Sequence, residues 1–362
     1  MSALQPSTVT QQQSVLVICG FRSKPHKLET HVSPISEAVD EVTVLWLNDA
    51  IHGDDIRYEE VAISQIGIVN LAVMFWSALV LSRTDEYDVI VSFSLIPYGI
   101  FALIAGVLSN TPAHLGIIGS DLDVHEQAWY GPGIRWLFRR FDIITVAGTN
   151  FRDRLIDVGV DPHRVHTVSH PVDGKFSSGK IHDSPQYDIL WLAEITEAKD
   201  PLLFIETVAE VIDRGMKLTV AMVGDGPLRS AVEDAIHRHE LEEIIDYPGW
   251  SKSPIEYYQN ASVFIMTSQR EMLPLSLIEA MSVGVPPIVP PLGAIPDVVE
   301  HEYNGLIIEH RTPEAFADGI ERLIRDNQLR HRLGENAQCI ENDHGFEPVA
   351  QRWSEILATG QD

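Results

Sequence analysis

Between residues 261 and 299 the chain changes hydrophobic period twice, and this alternation constrains its fold more than any other stretch. Ala261-Ser-Val-Phe-Ile-Met-Thr-Ser268 runs β-branched and aromatic residues together and ends on polar ones, the pattern of a short buried strand. A loop carrying Glu271 follows, then a helix starting near Pro274 and another strand within residues 281–299. Strand, helix and strand make a βαβ unit, the building block of an open parallel sheet. In such a sheet ligands bind at the carboxyl ends of strands and beside helix N-termini, where free amides and the helix dipole favour anions. Glu271 falls at that end.

A carboxylate in that place is a poor ligand for phosphate but a good acceptor for sugar hydroxyls. Glu279, eight positions on in the following helix, can take a second pair of hydroxyls. The spacing suits a nucleotide-sugar, with Glu271 toward the hexose and Glu279 toward the ribose. Backbone amides near Met272, Leu273 and Leu275 then meet the diphosphate between them. An isolated pair of glutamates also has a plainer explanation, in which Glu271 favours the helix N-terminus electrostatically and Glu279 faces solvent.

The surrounding motifs separate the two explanations. Residues 268–309 resemble the donor-binding region of the retaining family 4 glycosyltransferases, in which Glu-x7-Glu is followed by Glu-Ala-Met, Gly-x-Pro, Gly-x-Ile-Pro-Asp-Val-Val and Asn-Gly-Leu. Here these stand as Glu279-Ala-Met281, Gly284-Val-Pro286, Gly293-Ala-Ile-Pro-Asp-Val-Val299 and Asn304-Gly-Leu306. The resemblance extends to Met222-Val-Gly-Asp-Gly-Pro-Leu-Arg229, a strand with a turn at Gly224 and a helix from Pro227. It also covers Tyr247-Pro-Gly-Trp250 with Tyr257-Tyr258-Gln-Asn-Ala261, a segment that lines the base pocket in the family. It implies the GT-B fold, two Rossmann-like α/β domains facing across a cleft. It implies an enzyme that moves a hexosyl unit from a nucleotide-diphosphate sugar to the hydroxyl of a glycan, glycolipid or polyprenol-linked acceptor, with retention at the anomeric carbon. No cofactor beyond this co-substrate, and no dedicated metal, is implied.

Carried over residue by residue, the family pattern gives Lys199 the diphosphate, Glu271 the sugar and Glu279 the ribose, with Gly224 and Trp250 at the nucleotide. This chain also departs from the pattern. Where the family has Gly-Arg and then Lys, it reads Ala193-Glu194-Ile-Thr-Glu-Ala-Lys199, so a carboxylate stands in the place of one cation. Arg270, beside Glu271, is the nearest candidate in sequence to replace it. Pro274 removes one amide from the loop. In the amino-terminal half, residues 113–123 resemble the strand and loop carrying the family's His-Gly-x-Asp, with Ile118 in the His position. Asp121 is the candidate catalytic group there, and His125 a further one. Lys27-Leu-Glu-Thr-His-Val32 resembles the entry to the family's first helix, with His26 and Lys27 in place of glycines. Asp121 and Asp123 spell Asp-x-Asp, a divalent-ion pattern in glycosyltransferases of another fold; lying in the half opposite the nucleotide, they are not expected to hold a metal. Glu194 and Ile118 leave open a non-catalytic donor-binding protein of the same fold.

At 362 residues the chain exceeds a single core, and two domains are expected. The expected bounds are a polar, disordered tail over 1–13, an acceptor-side domain over 14–175, a nucleotide-sugar domain over 186–345, and a last helix over 346–362 crossing back to the first domain. The net charge of −26, from 52 acidic and 26 basic residues, argues against nucleic acid as a partner. Only seven of the 26 basic residues are lysine, a balance that suits high salt, where screening tolerates self-repulsion. Cys19 and Cys339 form no disulfide framework, and the amino terminus has no secretory pattern, so a cytoplasmic location is expected, with the inner face of the membrane open. Residues 66–81 and 95–108 are apolar on nearly every face and are expected in a core, with a peripheral membrane contact as the other use of such helices.

Overall fold

The computed structural model describes residues 13–20, 25–46, 56–60, 67–118, 121–177 and 184–359, with the backbone alone for 25–29, 60, 123–124 and 177. Residues 1–12 of the expected 1–13 tail, Gly119 and Ser120, and the side chains of His26, Lys27 and Asp123 lie outside the described residues.

The chain divides into two compact α/β units, one comprising residues up to Val146, Arg152–Val168 and residues from Ala350 on, the other Ala147–Phe151 and Ser169–Val349. The first is built on β1 (Ser14–Ile18), β2 (Glu41–Trp46), β3 (Ile56–Glu60), β4 (Val89–Phe93), β5 (Ala113–Ile117), β6 (Ile143–Val146) and β7 (Val165–Thr167). They pair in the order β3-β2-β1-β4-β5-β6-β7, every ladder parallel. Val15, Leu16, Val17 and Ile18 are fully buried, as a central parallel strand covered on both faces requires. The order reverses between β1 and β4, the switch point at which open α/β sheets bind ligands. Trp353 of the last helix, Phe346–Thr359, packs on this sheet, with ring centroids 6.4 Å from Phe93 and 5.2 Å from His114. His114 is buried, its Nε2 is 3.0 Å from Thr145 Oγ1, and burial pushes its pKa down to about 3, so it stays neutral.

Helix Gly67–Thr84 departs from the expected core burial. Asn70, Met74, Ala78 and Ser82, one residue in four, are buried, while Ile68, Val69, Val73, Trp76 and Val80 are exposed. One stripe suffices to seat the helix on the sheet and on helix Ile100–Ser109, where Phe75 meets Phe101 at 5.1 Å. The remaining apolar residues face outward.

The second unit uses β8 (Tyr187–Leu192), β9 (Val220–Val223), β10 (Ile245–Gly249), β11 (Ala261–Ile265), β12 (Pro287–Val289) and β13 (Leu306–Ile307), in the parallel order β10-β9-β8-β11-β12-β13. Its core is aromatic and aliphatic: Trp191 stacks on Phe204 at 6.0 Å, and Phe316 and Ile320 are fully buried. Residues 169–175, read from the sequence as part of the first domain, belong to this unit. Val172 donates its N–H to the His344 carbonyl at 2.7 Å, and Phe176 meets Tyr258 edge-on at 5.7 Å. Here the order reverses between β8 and β11.

Candidate active site

The loops leaving β8 and β11 diverge at that switch point, and each delivers one charged side chain to it. After β8 the chain turns through residues 193–198, with Lys199 closing the turn by donating its N–H to the Thr196 carbonyl at 3.1 Å. After β11 it runs through Thr267 and Ser268 to Glu271. The Lys199 ammonium donates to both carboxylate oxygens of Glu271, at 2.6 and 2.8 Å. Ser268 Oγ donates to Glu271 Oε1 at 2.6 Å. The Glu271 side chain is only 6% exposed, yet three hydrogen bonds satisfy its charge.

A close backbone contact fixes the Glu271 loop. Gly293, at φ 54°, lies so near that a Cβ there would stand 2.2 Å from the Glu271 carbonyl oxygen and 2.4 Å from that of Met272. Ala294 donates its N–H to the Met272 carbonyl at 2.7 Å. Only glycine permits both the left-handed backbone and the approach. Pro274, in extended conformation, then precedes helix Leu275–Val283, whose first amides point back at the loop. Met272 and Leu275 are half-buried, and Leu273 is buried.

Glu279 lies further along this helix and is half-buried, not in open solvent. Tyr258, fully buried, donates its hydroxyl to Glu279 Oε2 at 2.9 Å. Burial raises the Glu279 pKa to about 7, opposed by the Tyr258 hydrogen bond and the Lys175 ammonium.

The carboxyl ends of β9 and β10 adjoin. Gly224, at φ 152°, donates its N–H to the Gly249 carbonyl at 2.8 Å, and a Cβ on it would stand 1.9 Å from the Ala193 carbonyl oxygen. Trp250 follows β10 and is 66% exposed. The helix expected from Pro227 begins two residues later, at Arg229, after a turn closed by the Arg229 N–H on the Gly226 carbonyl at 3.1 Å.

One sequence candidate is not drawn into the cluster. Arg270 is exposed, and among the described residues it forms no ion pair with the groups around Glu271. The Glu194 side chain is also exposed. Three groups that the sequence did not single out are part of the cluster: Ser268, Tyr258 as partner of Glu279, and Arg311. Tyr258 and Ser268 lie inside stretches that carry the family resemblance; Arg311 lies outside them and carried no motif signal.

In the first unit Asp121 follows β5 and is 2% exposed, with its Oδ1 accepting the Leu95 N–H at 2.9 Å. Burial raises its pKa, against that hydrogen bond and the nearby His125. His125 Nδ1 lies 2.8 Å from the Tyr130 hydroxyl. Among the described residues no three His, Cys, Asp or Glu side chains gather as a metal site.

Comparison with known proteins accounts for both halves. The model of the glycosyl transferases group 1 family matches residues 175–339, and that of the glycosyl transferase 4-like domain matches residues 15–171. The amylovoran biosynthesis glycosyltransferase AmsD of Erwinia amylovora is 29% identical over 172 residues, 48% of this chain and 48% of its own, so the chain spans about half the length of that relative. The putative colanic acid biosynthesis glycosyltransferase WcaL of Salmonella typhimurium is 25% identical over 280 residues, 70% of this chain and 68% of its own. Among solved structures, Anabaena HepE in complex with UDP and glucose shares the fold at a TM-score of 0.81 and 16% identity, over 96% of this chain and 100% of that one. Two doubly wound parallel sheets, each half matched by a glycosyltransferase family model, establish that the chain belongs to the family 4 GT-B glycosyltransferases, the glycosyl transferases group 1.

Proposed function

We propose that this glycosyltransferase moves a hexosyl unit from a nucleotide-diphosphate sugar to an acceptor hydroxyl with retention at the anomeric carbon. The observation that carries the reading is the Lys199–Glu271 pair at the β8/β11 switch point, with Glu279 eight residues further on. On arrival of the donor, the Lys199 ammonium neutralises diphosphate charge while Glu271 accepts from hexose hydroxyls and Glu279 from the ribose. The amides of Met272, Leu273 and Leu275 supply further donors, which matters because Glu194 replaces one cation of the family pattern. Gly224 lets the backbone approach the nucleotide, and Trp250 offers a ring for the base.

In the reaction the bond from the anomeric carbon to the diphosphate oxygen breaks, and its electron pair leaves with the diphosphate. The acceptor oxygen bonds to the same carbon on the same face, and its proton passes to the departing phosphate oxygen. Lys199 stabilises the charge that develops there, so the chemistry needs no metal. Asp121, with one oxygen on the Leu95 amide, is assigned to the acceptor through its other oxygen.

The names of AmsD and WcaL point to polysaccharide biosynthesis, and a glycan or lipid-linked acceptor fits them. The outward apolar side of helix Gly67–Thr84 suits a peripheral membrane contact where such an acceptor is presented, at the inner face of a cytoplasmic membrane. The net charge of −26 disfavours nucleic acid.

The test is transfer from UDP-, GDP- and ADP-hexoses, with UDP-glucose first because HepE was solved with UDP and glucose. Lys199→Ala and Glu271→Ala should each lower kcat/KM by about 100-fold or more, the scale of a charge contact in a water-poor site. EDTA should leave turnover intact, and NMR of the product should show the donor's anomeric configuration. Parental rates in both variants, loss with EDTA restored by Mn²⁺, or an inverted product would each refute the corresponding part.

A further inference from the structure

Arg311 stands in the stretch between β13 and helix Pro313–Arg325, held in place by the Thr312 hydroxyl, which accepts the Ala315 N–H at 3.3 Å. Its Nη2 donates to Asp200 Oδ2 at 2.6 Å and to the Thr267 carbonyl at 2.8 Å. Asp200 is the neighbour of Lys199 in the chain, and Thr267 begins the stretch that leads to Glu271. The guanidinium thus ties the Lys199 turn to the Glu271 loop. Gln269 reinforces the tie, donating through Nε2 to Asp200 Oδ2 at 3.1 Å and through its backbone N–H to the Ala198 carbonyl at 2.8 Å.

Asp200 caps the following helix, Pro201–Asp213, with its Oδ1 accepting the Leu203 N–H at 3.4 Å. Its backbone is left-handed, at φ 48° and ψ 60°, a conformation that glycine adopts freely and other residues adopt at some expense. Its carboxylate, partly buried at 21% exposed, belongs to the residue that follows the one cation on which the diphosphate reading depends. Without Arg311 this carboxylate keeps only neutral donors, Gln269 Nε2 at 3.1 Å and the Leu203 N–H at 3.4 Å, and its uncompensated charge, one residue from Lys199, competes with Glu271 for the ammonium.

We infer that Arg311 is a positioning residue: by holding the Asp200 carboxylate it keeps Lys199 on Glu271. The functional weight of this device rests on the donor-site reading of Lys199 and Glu271, but the device itself is a property of the free protein and can be measured without a nucleotide.

The experiment is a double-mutant cycle on Arg311 and Asp200. Trace acetic anhydride labelling of Lys199 in the free protein is quantified by peptide mapping against exposed Lys217. Arg311→Met should move Lys199 from a carboxylate 6% exposed toward one 21% exposed and raise its labelling at least five-fold. Asp200→Gly, which removes the competitor and suits the left-handed backbone, should label within two-fold of wild type, and Arg311→Met in the Asp200→Gly background should add nothing. In parallel, the dissociation constant for UDP should rise about ten-fold in Arg311→Met and return toward the parental value in the double variant. Labelling unchanged by Arg311→Met, or raised equally in both backgrounds, overturns the proposal and leaves Arg311 a purely structural brace. If Arg311→Met does not fold, Arg311→Gln, which can still donate to the Thr267 carbonyl, carries the same comparison. A wild type that binds no UDP speaks against a uridine donor, while the labelling still decides the role of Arg311.

Discussion

Glu279 sits where its own charge is costly. Burial lifts its carboxyl to about 7 from an ordinary 4.5, even though Tyr258 and Lys175 favour the ionised form. A carboxyl whose pKa is raised on folding stabilises most below its unfolded pKa, and this contribution is lost as pH climbs through the folded value. Between about pH 4.5 and 7 Glu279 therefore weakens the fold progressively, and Glu279→Gln should remove that slope. Discounted for its partial exposure, the gain at pH 8 should be about 1 kcal/mol, or about 2–4 °C in Tm, with little change at pH 4, read by thermal melts across pH. Nucleotide affinity should move the other way. If ribose hydroxyls need an anionic acceptor, wild-type affinity rises between pH 6 and 8, while that of Glu279→Gln stays low and flat. The sequence named Glu279 and gave it two readings, ribose acceptor or solvated helix residue. What excluded the solvated one was Tyr258, brought against it by the packing of Phe176 and Phe264 around the tyrosine ring.

Two segments carry predictions as whole elements. The loop from Glu271 to Pro274 is shaped by the backbone of Gly293, so Gly293→Ala should displace it through the Cβ contacts at 2.2 and 2.4 Å. Misplacing a reacting group by about 1 Å typically lowers the rate about 100-fold. Turnover in Gly293→Ala should therefore fall on that scale while circular dichroism stays parental; a parental rate would show that the loop tolerates the shift. Helix Gly67–Thr84 exposes Val73 and Trp76, so Val73→Ser with Trp76→Ser should change stability by about 0.5 kcal/mol or less. The same pair should reduce co-sedimentation with zwitterionic phosphatidylcholine vesicles in molar KCl if this face meets lipid, since anionic lipid would repel a net charge of −26, and equal sedimentation of both proteins would remove the membrane contact. Periodicity reported that the helix was apolar all round. It did not report how many sides the fold would cover, because coverage depends on which neighbours arrive.

At the scale of the molecule, 52 acidic residues against 26 basic ones leave strong self-repulsion at low ionic strength. Stability should rise from low to molar KCl as the Debye length shrinks from about 10 Å at 0.1 M to about 3 Å at 1 M, and a melting temperature that stays flat or falls would contradict this. Both doubly wound sheets were readable in advance, since alternating strand and helix periods, turn glycines and helix-starting prolines are local properties, each written within about ten residues. The spacing likewise singled out Glu271 and Glu279 as candidates, and the family resemblance added Lys199. The partners of these residues were not readable. Lys199 meets Glu271 across 72 positions of sequence, and Arg311 meets Asp200 across 111. Such contacts exist only once the strand order has brought the carboxyl ends of β8 and β11, and the chain beyond β13, side by side. The sequence by itself thus determined the elements, their alternation and the residues able to carry the chemistry. The tertiary structure alone decided which charges are paired, which carboxyl is buried, and which apolar helix face is left in water, because ionisation and burial depend on neighbours distant in the chain.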